Sequence, residues 1–367
     1  MKTILHTGCK LCKNGGIENY IMNLYRKIDR TKFRFIFLVD KEQEDENFAD
    51  EIYELGGAVY YFDSNQPLYK QIIQKYNILK QIDYSIAHVH VSCGIRAIDG
   101  LLLKFAHKKV KLFYHSHSNI GKRPIKYSLL IPIYRIASNK LFACSNVAAQ
   151  YFFGKNVIRS KKYHLMKNGI DRDKFVYSEA SRKKIRSQYA LDEKVFLLGY
   201  VGRLSVEKNI AYLIDTVYEL NKMKFYTKGL IVGDGPEKET LVQYVNKTNQ
   251  IDNIIFVGNS LNVEQFLCAF DALMLPSYNE GLGIVLIEAQ AASLVCFASN
   301  VVPVETNISP LIQYFDIKNT PDFTASIIYN LLHEKDYIRP CYQECVDSNG
   351  YNISLCVKEL EKIYLDV

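Results

Sequence analysis

An α/β protein made of two successive parallel-sheet domains is what this sequence predicts, and three observations carry the prediction. The 367 residues are long for one core and comfortable for two. Short apolar runs alternate with stretches of helical spacing, the order that builds a parallel sheet with helices on both faces. That alternation begins at Lys2, breaks down across the polar segment 173–191, and begins again at Val195.

In the first half, residues 2–6 read as a buried strand running into a glycine turn. Ile17, Tyr20, Ile21, Leu24, Tyr25 and Ile28 recur at helical spacing, which predicts a helix over 17–28. Strands follow at 33–39 and, after Gly56-Gly57, at 58–62. A helix is expected over 69–82, then strands at 85–91, 110–114 and 140–144. The second half repeats the pattern: strand 195–201, helix 210–222, strand 228–232, helix 237–249, strand 254–257, helix 263–270, strand 272–275, a helix opening near Leu282, and strand 294–298. Each repeat is about the size of one doubly wound, Rossmann-like domain. The cluster Arg182-Lys183-Lys184 and poor periodicity make 173–191 a solvated connector or helix. The expected division is 1–171, joined by a C-terminal helix in 351–367, and 172–350. Two such domains are expected to face each other across an interdomain cleft, with ligands beyond the strand C-termini.

Composition narrows the function. Hydrophobic residues make up 48% and charged residues 23%, which argues against disorder. The N-terminal apolar stretch stops at Gly8, too short for a signal peptide, and no run reaches the roughly 18 residues of a membrane span. A cytoplasmic protein is the expectation. Nine cysteines cannot pair completely, and Cys9 and Cys12 form a lone C-x-x-C without a second pair, so reduced thiols are expected. Charge is uneven. Residues 1–170 hold 27 Lys and Arg against 13 Asp and Glu, while the remainder holds 19 against 26. Residues 84–169 hold 15 basic residues and one acid, Asp99. The basic half should seek an anionic partner: a phosphorylated lipid, an acidic membrane surface or nucleic acid.

Five clusters sit at predicted strand ends. Ser277-Tyr278-Asn279-Glu280-Gly281-Leu282-Gly283-Ile284 precedes a helix; its glycines admit close backbone approach, and free amides with the helix dipole suit a phosphate. Glu280 and Glu288 are carboxylates able to accept bonds from sugar or ribose hydroxyls. Gly202-Arg203-Leu204-Ser205-Val206-Glu207-Lys208-Asn209 offers Arg203 and Lys208 to a diphosphate, stabilising a departing nucleotide without metal. Gly233-Asp234-Gly235-Pro236 is a turn, not a dinucleotide fingerprint. Gly15-Gly16 opens a helix where amides would reach phosphate. His115 and His117 in His-Ser-His-Ser-Asn (115–119) could touch a reacting sugar; with His88 and His90 they also look like metal pairs, but no cysteine or carboxylate nearby completes a set. Asp171-Arg172-Asp173 matches D-x-D formally and reads as an interdomain turn.

Taken together, these clusters resemble the retaining glycosyltransferases of family 4, with the GT-B fold. The likeness spans the chain: Gly15-Gly16, His115, Cys144-Ser145 opening a helix, Asn168-Gly169-Ile170-Asp171 with Phe175, Gly202-Arg203 with Glu207-Lys208-Asn209, Gly233-Asp234-Gly235-Pro236, and two glutamates seven residues apart. The resemblance implies that Arg203 and Lys208 contact the donor diphosphate, with Gly202 and Gly233 beside them. It places Glu288 on the ribose, Glu280 on the transferred sugar, and the amides of Leu282, Gly283, Ile284 and Val285, next to Gly281, near sugar and phosphate. His115 lies against the sugar and Gly16, with Gly15, under the donor phosphates. The resemblance also implies a helix over 355–364 crossing back onto the N-terminal domain. More narrowly, His115 to Asn119 followed by Lys122, Arg123 and Lys126 resembles bacterial capsule and exopolysaccharide transferases. These take a UDP-sugar donor and a polyprenyl-diphosphate-linked glycan acceptor. They imply a peripheral position on the anionic inner membrane face through the basic N-terminal domain, with no nucleic acid partner and no metal cofactor. His117 leaves open which histidine serves. The rival readings are a nucleotide-sugar epimerase or phosphorylase on the same fold, and a non-catalytic basic binding module.

Overall fold

A computed structural model describes residues 1–13, 15–41, 46–94, 96–118, 124–333, 339 and 341–367. Asn119, Lys122, Arg123 and the side chain of Lys126, which carry part of the basic-stretch reading, lie outside the described residues. The chain divides into two compact units, residues 1–170 with 350–367, and 171–349.

The first unit holds a seven-stranded parallel sheet: β1 (Lys2–Thr7), β2 (Phe33–Asp40), β3 (Ala58–Phe62), β4 (Ile86–Val91), β5 (Lys111–Ser116), β6 (Lys140–Ala143) and β7 (Tyr163–Leu165), in the order β3-β2-β1-β4-β5-β6-β7. Such a sheet is covered on both faces, so its strands read as continuous apolar runs rather than alternating ones. β4 has every residue buried, although it carries His88 and His90. Two polar rings in a core strand are a local conflict of the kind that marks a functional site. The helix Gly16–Lys27 packs its Tyr20, Ile21, Leu24 and Tyr25 against this sheet. The helix Ile353–Leu365 returns to the same core, burying Val357, Leu360 and Tyr364. Each such side chain is worth roughly 1.5–3 kcal/mol of burial. Lys2 Nζ donates to the Tyr364 and Val367 carbonyls at 2.9 Å each.

The second unit holds a six-stranded parallel sheet: β8 (Phe196–Val201), β9 (Thr227–Val232), β10 (Ile254–Gly258), β11 (Ala272–Leu275), β12 (Val295–Ser299) and β13 (Ile312–Phe315), ordered β10-β9-β8-β11-β12-β13. Counted within each unit, both sheets run third, second, first, fourth, fifth, sixth. That is the doubly wound Rossmann order, with its reversal between β1 and β4 in one unit and between β8 and β11 in the other. The fold class is therefore two Rossmann-like α/β units.

The segment 173–191 is more ordered than its charge suggests. Ser178 caps the helix Glu179–Gln188 by accepting from the Ser181 amide. Arg186, next to the cationic cluster, is 1% exposed. Its guanidinium donates to the carbonyls of Asp192, Val195 and Ala269 and pairs with Asp271 at 3.2 Å. Five fixed donors on a planar cation suit a junction of several loop carbonyls. The D-x-D run is a turn: Arg172–Phe175 is a short 3-10 helix, Arg172 pairs with Asp347, and Asp173 is largely exposed.

Candidate active site

The reversal between β8 and β11 is where an open α/β sheet binds ligands, and there the second unit gathers its predicted residues. β8 ends at Gly202, whose φ of +154° lies in the glycine-favoured region. A Cβ on Gly202 would meet the Tyr200 hydroxyl at 2.8 Å, and one on Gly233 would meet the Gly202 carbonyl at 1.9 Å. Gly235 passes equally close to Leu204, whose amide donates to the Asp234 carbonyl at 2.9 Å. The turn after β9 is thus locked onto the loop after β8 at van der Waals limit. Tyr200 donates to the Arg203 carbonyl at 3.0 Å, which holds the loop and leaves the Arg203 side chain exposed. Asn209, at φ +52°, closes the 3-10 turn Val206–Lys208 and starts the helix Ile210–Lys222.

The loop after β11 docks on the same place. The Tyr278 amide donates to the Glu207 carbonyl at 2.8 Å, and Asn209 Nδ2 to the Pro276 carbonyl at 3.2 Å. Lys208 Nζ pairs with Glu280 Oε1 at 2.6 Å, and Ser277 Oγ donates to the same oxygen at 2.9 Å. Glu280 is 7% exposed, so the attraction between its carboxylate and Lys208 is less screened than in a surface pair. Gly283, at φ +85°, caps the helix Ile284–Ala291; Gly281 lies just before it, Leu282 and Val285 are buried, and Ile284 opens the first turn. Glu288, on the same helix, is half-buried. Burial pushes its carboxyl up to about 7, with nearby Lys174 opposing the rise and Glu264 adding to it.

In the first unit the predicted residues behave differently from one another. Gly16 has open space where a side chain would stand, and it begins the helix Gly16–Lys27. The space at Gly15 is filled: a Cβ there would meet Glu18 Oε2 at 2.0 Å. Glu18 in turn accepts the Lys10 amide at 2.8 Å. Gly15 is small because a carboxylate packs against it. Cys9 and Cys12 are buried, and desolvation raises the Cys9 thiol far out of the reactive range. His115 is fully buried, whereas His117, just past the end of β5, is half-buried.

Two sequence-family models cover most of the chain. Residues 14–174 match Glycosyltransferase Family 4, and residues 181–335 match Glycosyl transferases group 1. The chain is a family 4 glycosyltransferase. It is 28% identical to EpsF of Bacillus subtilis, a glycosyltransferase by provisional assignment, across 82% of this chain and 79% of that one. It is 25% identical to the capsular polysaccharide biosynthesis glycosyltransferase CapH of Staphylococcus aureus, across 100% and 99%. It is 23% identical to the UDP-Gal:alpha-D-GlcNAc-diphosphoundecaprenol alpha-1,3-galactosyltransferase of Escherichia coli, across 81% and 79%. The fold matches that of Anabaena HepE, solved with UDP and glucose, at a TM-score of 0.82 and 17% identity over the full length of both chains. The transferase is of GT-B type, with relatives in polysaccharide biosynthesis.

Sequence reasoning about the transferase missed one feature. His6, His88, His90, His115 and His117 come together: five of its eight histidines. The strand order puts β1 beside β4 and β4 beside β5, aligning His6 with His88 and His90 with His115. The sequence showed no cysteine or carboxylate to complete a metal set. Instead the sheet supplies further histidines: one ring nitrogen from each of His6, His88 and His90, and of His90, His115 and His117, lies within 4.8 Å of the others. Only the long-range register reveals this.

Proposed function

We propose that this glycosyltransferase moves a sugar from a UDP-sugar, with retained anomeric configuration, to a hydroxyl of a polyprenyl-diphosphate-linked glycan at the inner membrane face. One observation carries the donor assignment: the part-buried Lys208–Glu280 pair at 2.6 Å, formed where β8 and β11 end. An arriving diphosphate draws Lys208 to its oxygens, which frees Glu280 to accept from sugar hydroxyls. Arg203, exposed on the adjoining loop, adds a second cation. These fixed charges stabilise the departing nucleotide without a divalent metal. Glu288 accepts from the ribose. The HepE complex with UDP and the UDP-Gal specificity of the E. coli relative support a uridine donor. That relative's diphosphoundecaprenol acceptor supports a lipid-linked one here.

The first unit supplies a surface for such an acceptor. Ile73 on the helix Leu68–Gln81, Ile98, Leu101 and Phe105 on the helix Arg96–Ala106, and Ile136 on the helix Ile131–Ala137 are exposed, Phe105 by 75%. The helices adjoin one another, and Lys104 lies near Lys111 and Lys162. Apolar side chains rimmed by lysines fit an anionic bilayer surface. No helix among the described residues is long and apolar enough to cross a membrane.

The test is a thermal-shift panel of UDP- and GDP-sugars with and without EDTA, followed by transfer to a short-chain polyprenyl-diphosphate glycan with the product anomer read by NMR. Stabilisation by a UDP-sugar in EDTA and an axial-to-axial outcome are expected. Donor stabilisation that requires a metal, or an inverted product, would overturn the corresponding part.

A further inference from the structure

The five histidines form two hydrogen-bonded chains rather than a loose cluster. In one, Tyr364 OH meets His88 Nδ1 at 2.7 Å, and His88 Nε2 meets His115 Nδ1 at 3.1 Å. In the other, His6 Nδ1 meets His90 Nε2 at 2.9 Å, and His90 Nδ1 meets His117 Nε2 at 2.8 Å. The second chain starts blind and ends near solvent. His6 and His90 are 1% and 0% exposed, and His6 Nε2 is buried without a partner; His117 is half-buried at the strand end. His90 Nδ1 and His117 Nε2 are committed to each other at hydrogen-bond distance, so the array as built is a proton-ordered network and not an open ligand set.

Burial makes every ring neutral at physiological pH, with His6 and His117 pushed down to about 3 and the others also lowered. A neutral imidazole has one N–H and one bare nitrogen. Each contact needs one of each, so the three rings His6, His90 and His117 allow only two arrangements. In one, protons point outward along the chain: His6 donates to His90, His90 donates to His117, and His117 keeps its proton on Nδ1. In the other, every proton is reversed, His117 presents a bare Nδ1, and His6 is left with a buried N–H that donates to nothing. An orphaned buried N–H is the rarer and costlier end, compared with a bare lone pair among the Phe35 and Phe37 rings. The first arrangement wins.

We propose that His6 and His90 are positioning residues that fix His117 as its Nδ1–H tautomer, so that the end of β5 presents a hydrogen-bond donor, and not an acceptor, to the sugar. The inference rests on the reading that a histidine at this strand end touches the transferred sugar. A donor there suits the oxygen of a sugar hydroxyl, which it can hold in a fixed orientation as the nucleotide departs. His6 reaches the reaction only through two other rings.

The experiment is two-bond 1H–15N correlation NMR on full-length protein with 15N-labelled histidine, which reads each tautomer directly, alongside steady-state transfer kinetics. His117 should be protonated on Nδ1 in the wild type. His6→Leu removes the donor, so His117 should become a tautomeric mixture and kcat should fall by about tenfold at unchanged donor KM. His6→Asn, whose amide stands close to the position of Nδ1–H, should restore both. The proposal fails if wild-type His117 is protonated on Nε2, if His6→Leu leaves the tautomer unmoved, or if His6→Asn is as impaired as His6→Leu. It also fails if Co(II) gives d–d bands that disappear in His90→Ala, since the array would then be a metal centre. A tautomer that shifts as expected while His117→Ala keeps full turnover would uphold the array and sink the sugar contact instead.

Discussion

Both units are wound in the same strand order, yet they furnish the reversal of their sheets in opposite ways. The second unit puts a charged pair there, Lys208 and Glu280, with Arg203 exposed beside it. The first unit puts neutral rings there, His6 and His90 at the ends of β1 and β4, with His117 past β5. Even the glycines differ. Gly233 is needed because its backbone nearly touches that of Gly202, while Gly15 leaves room for the carboxylate of Glu18. One framework thus yields a site suited to a charged diphosphate and another suited to orienting uncharged hydroxyls.

The strongest way to break this contrast is at the charged pair. Glu280→Gln or Lys208→Met should lower kcat by roughly 10²–10³-fold, with Lys208→Met also weakening UDP binding by calorimetry. Near-normal turnover in either variant would remove the pair from the chemistry. The histidine end comes next. His117→Ala should cost about 10²-fold in transfer by the protein that stays folded, besides the stability lost when the buried His90 Nδ1–H loses its acceptor. His115→Ala should instead destabilise the fold by about 1–3 kcal/mol in urea titrations, because the buried His88 Nε2 loses its partner. Equal behaviour of the two variants would erase the distinction between them. On the outer surface, Phe105→Glu should weaken flotation with anionic vesicles by about tenfold while leaving UDP affinity in solution unchanged. Unaltered flotation would place the membrane face elsewhere.

The smallest expected effect concerns Glu288. Its carboxyl is raised from 4.5 to about 7, so the folded state holds this proton more tightly than the unfolded one. Its contribution to stability is present below pH 4.5 and is lost as pH rises through 7. Glu288→Gln should flatten the melting-temperature profile of the ligand-free protein between about pH 5 and about pH 8. A profile as steep as the wild type's would mean another group controls it.

Much of this was legible from the amino acids, and the gaps have physical causes. The strands Ala58–Phe62 and Ala272–Leu275 and the helix Ile210–Lys222 lie where apolar periodicity puts them, because each carries an unbroken pattern. The helix Arg96–Ala106 was not among the predicted elements, and its interior carries Gly100. In the fold it is a notch for Tyr114, whose hydroxyl would lie 1.8 Å from any Cβ there. Arg186 escaped because a cation beside Arg182-Lys183-Lys184 reads as solvated, whereas neighbouring carbonyls bury it. The loops bearing Lys208 and Glu280 were visible as glycine-rich strand ends, but their 2.6 Å contact depends on strand order across 72 residues. The histidine array was hidden more deeply, since its partners sit on three strands and a following loop.

The helix Ile353–Leu365 is made after the second unit but completes the first. Until it emerges from the ribosome, Tyr364 cannot reach His88, and the cover that Val357, Leu360 and Tyr364 give the N-terminal core is missing. Synthesis and folding consequently run in different orders: the half made second can close on itself while the half made first waits. During that interval the nascent chain exposes the apolar floor that the last helix will cover.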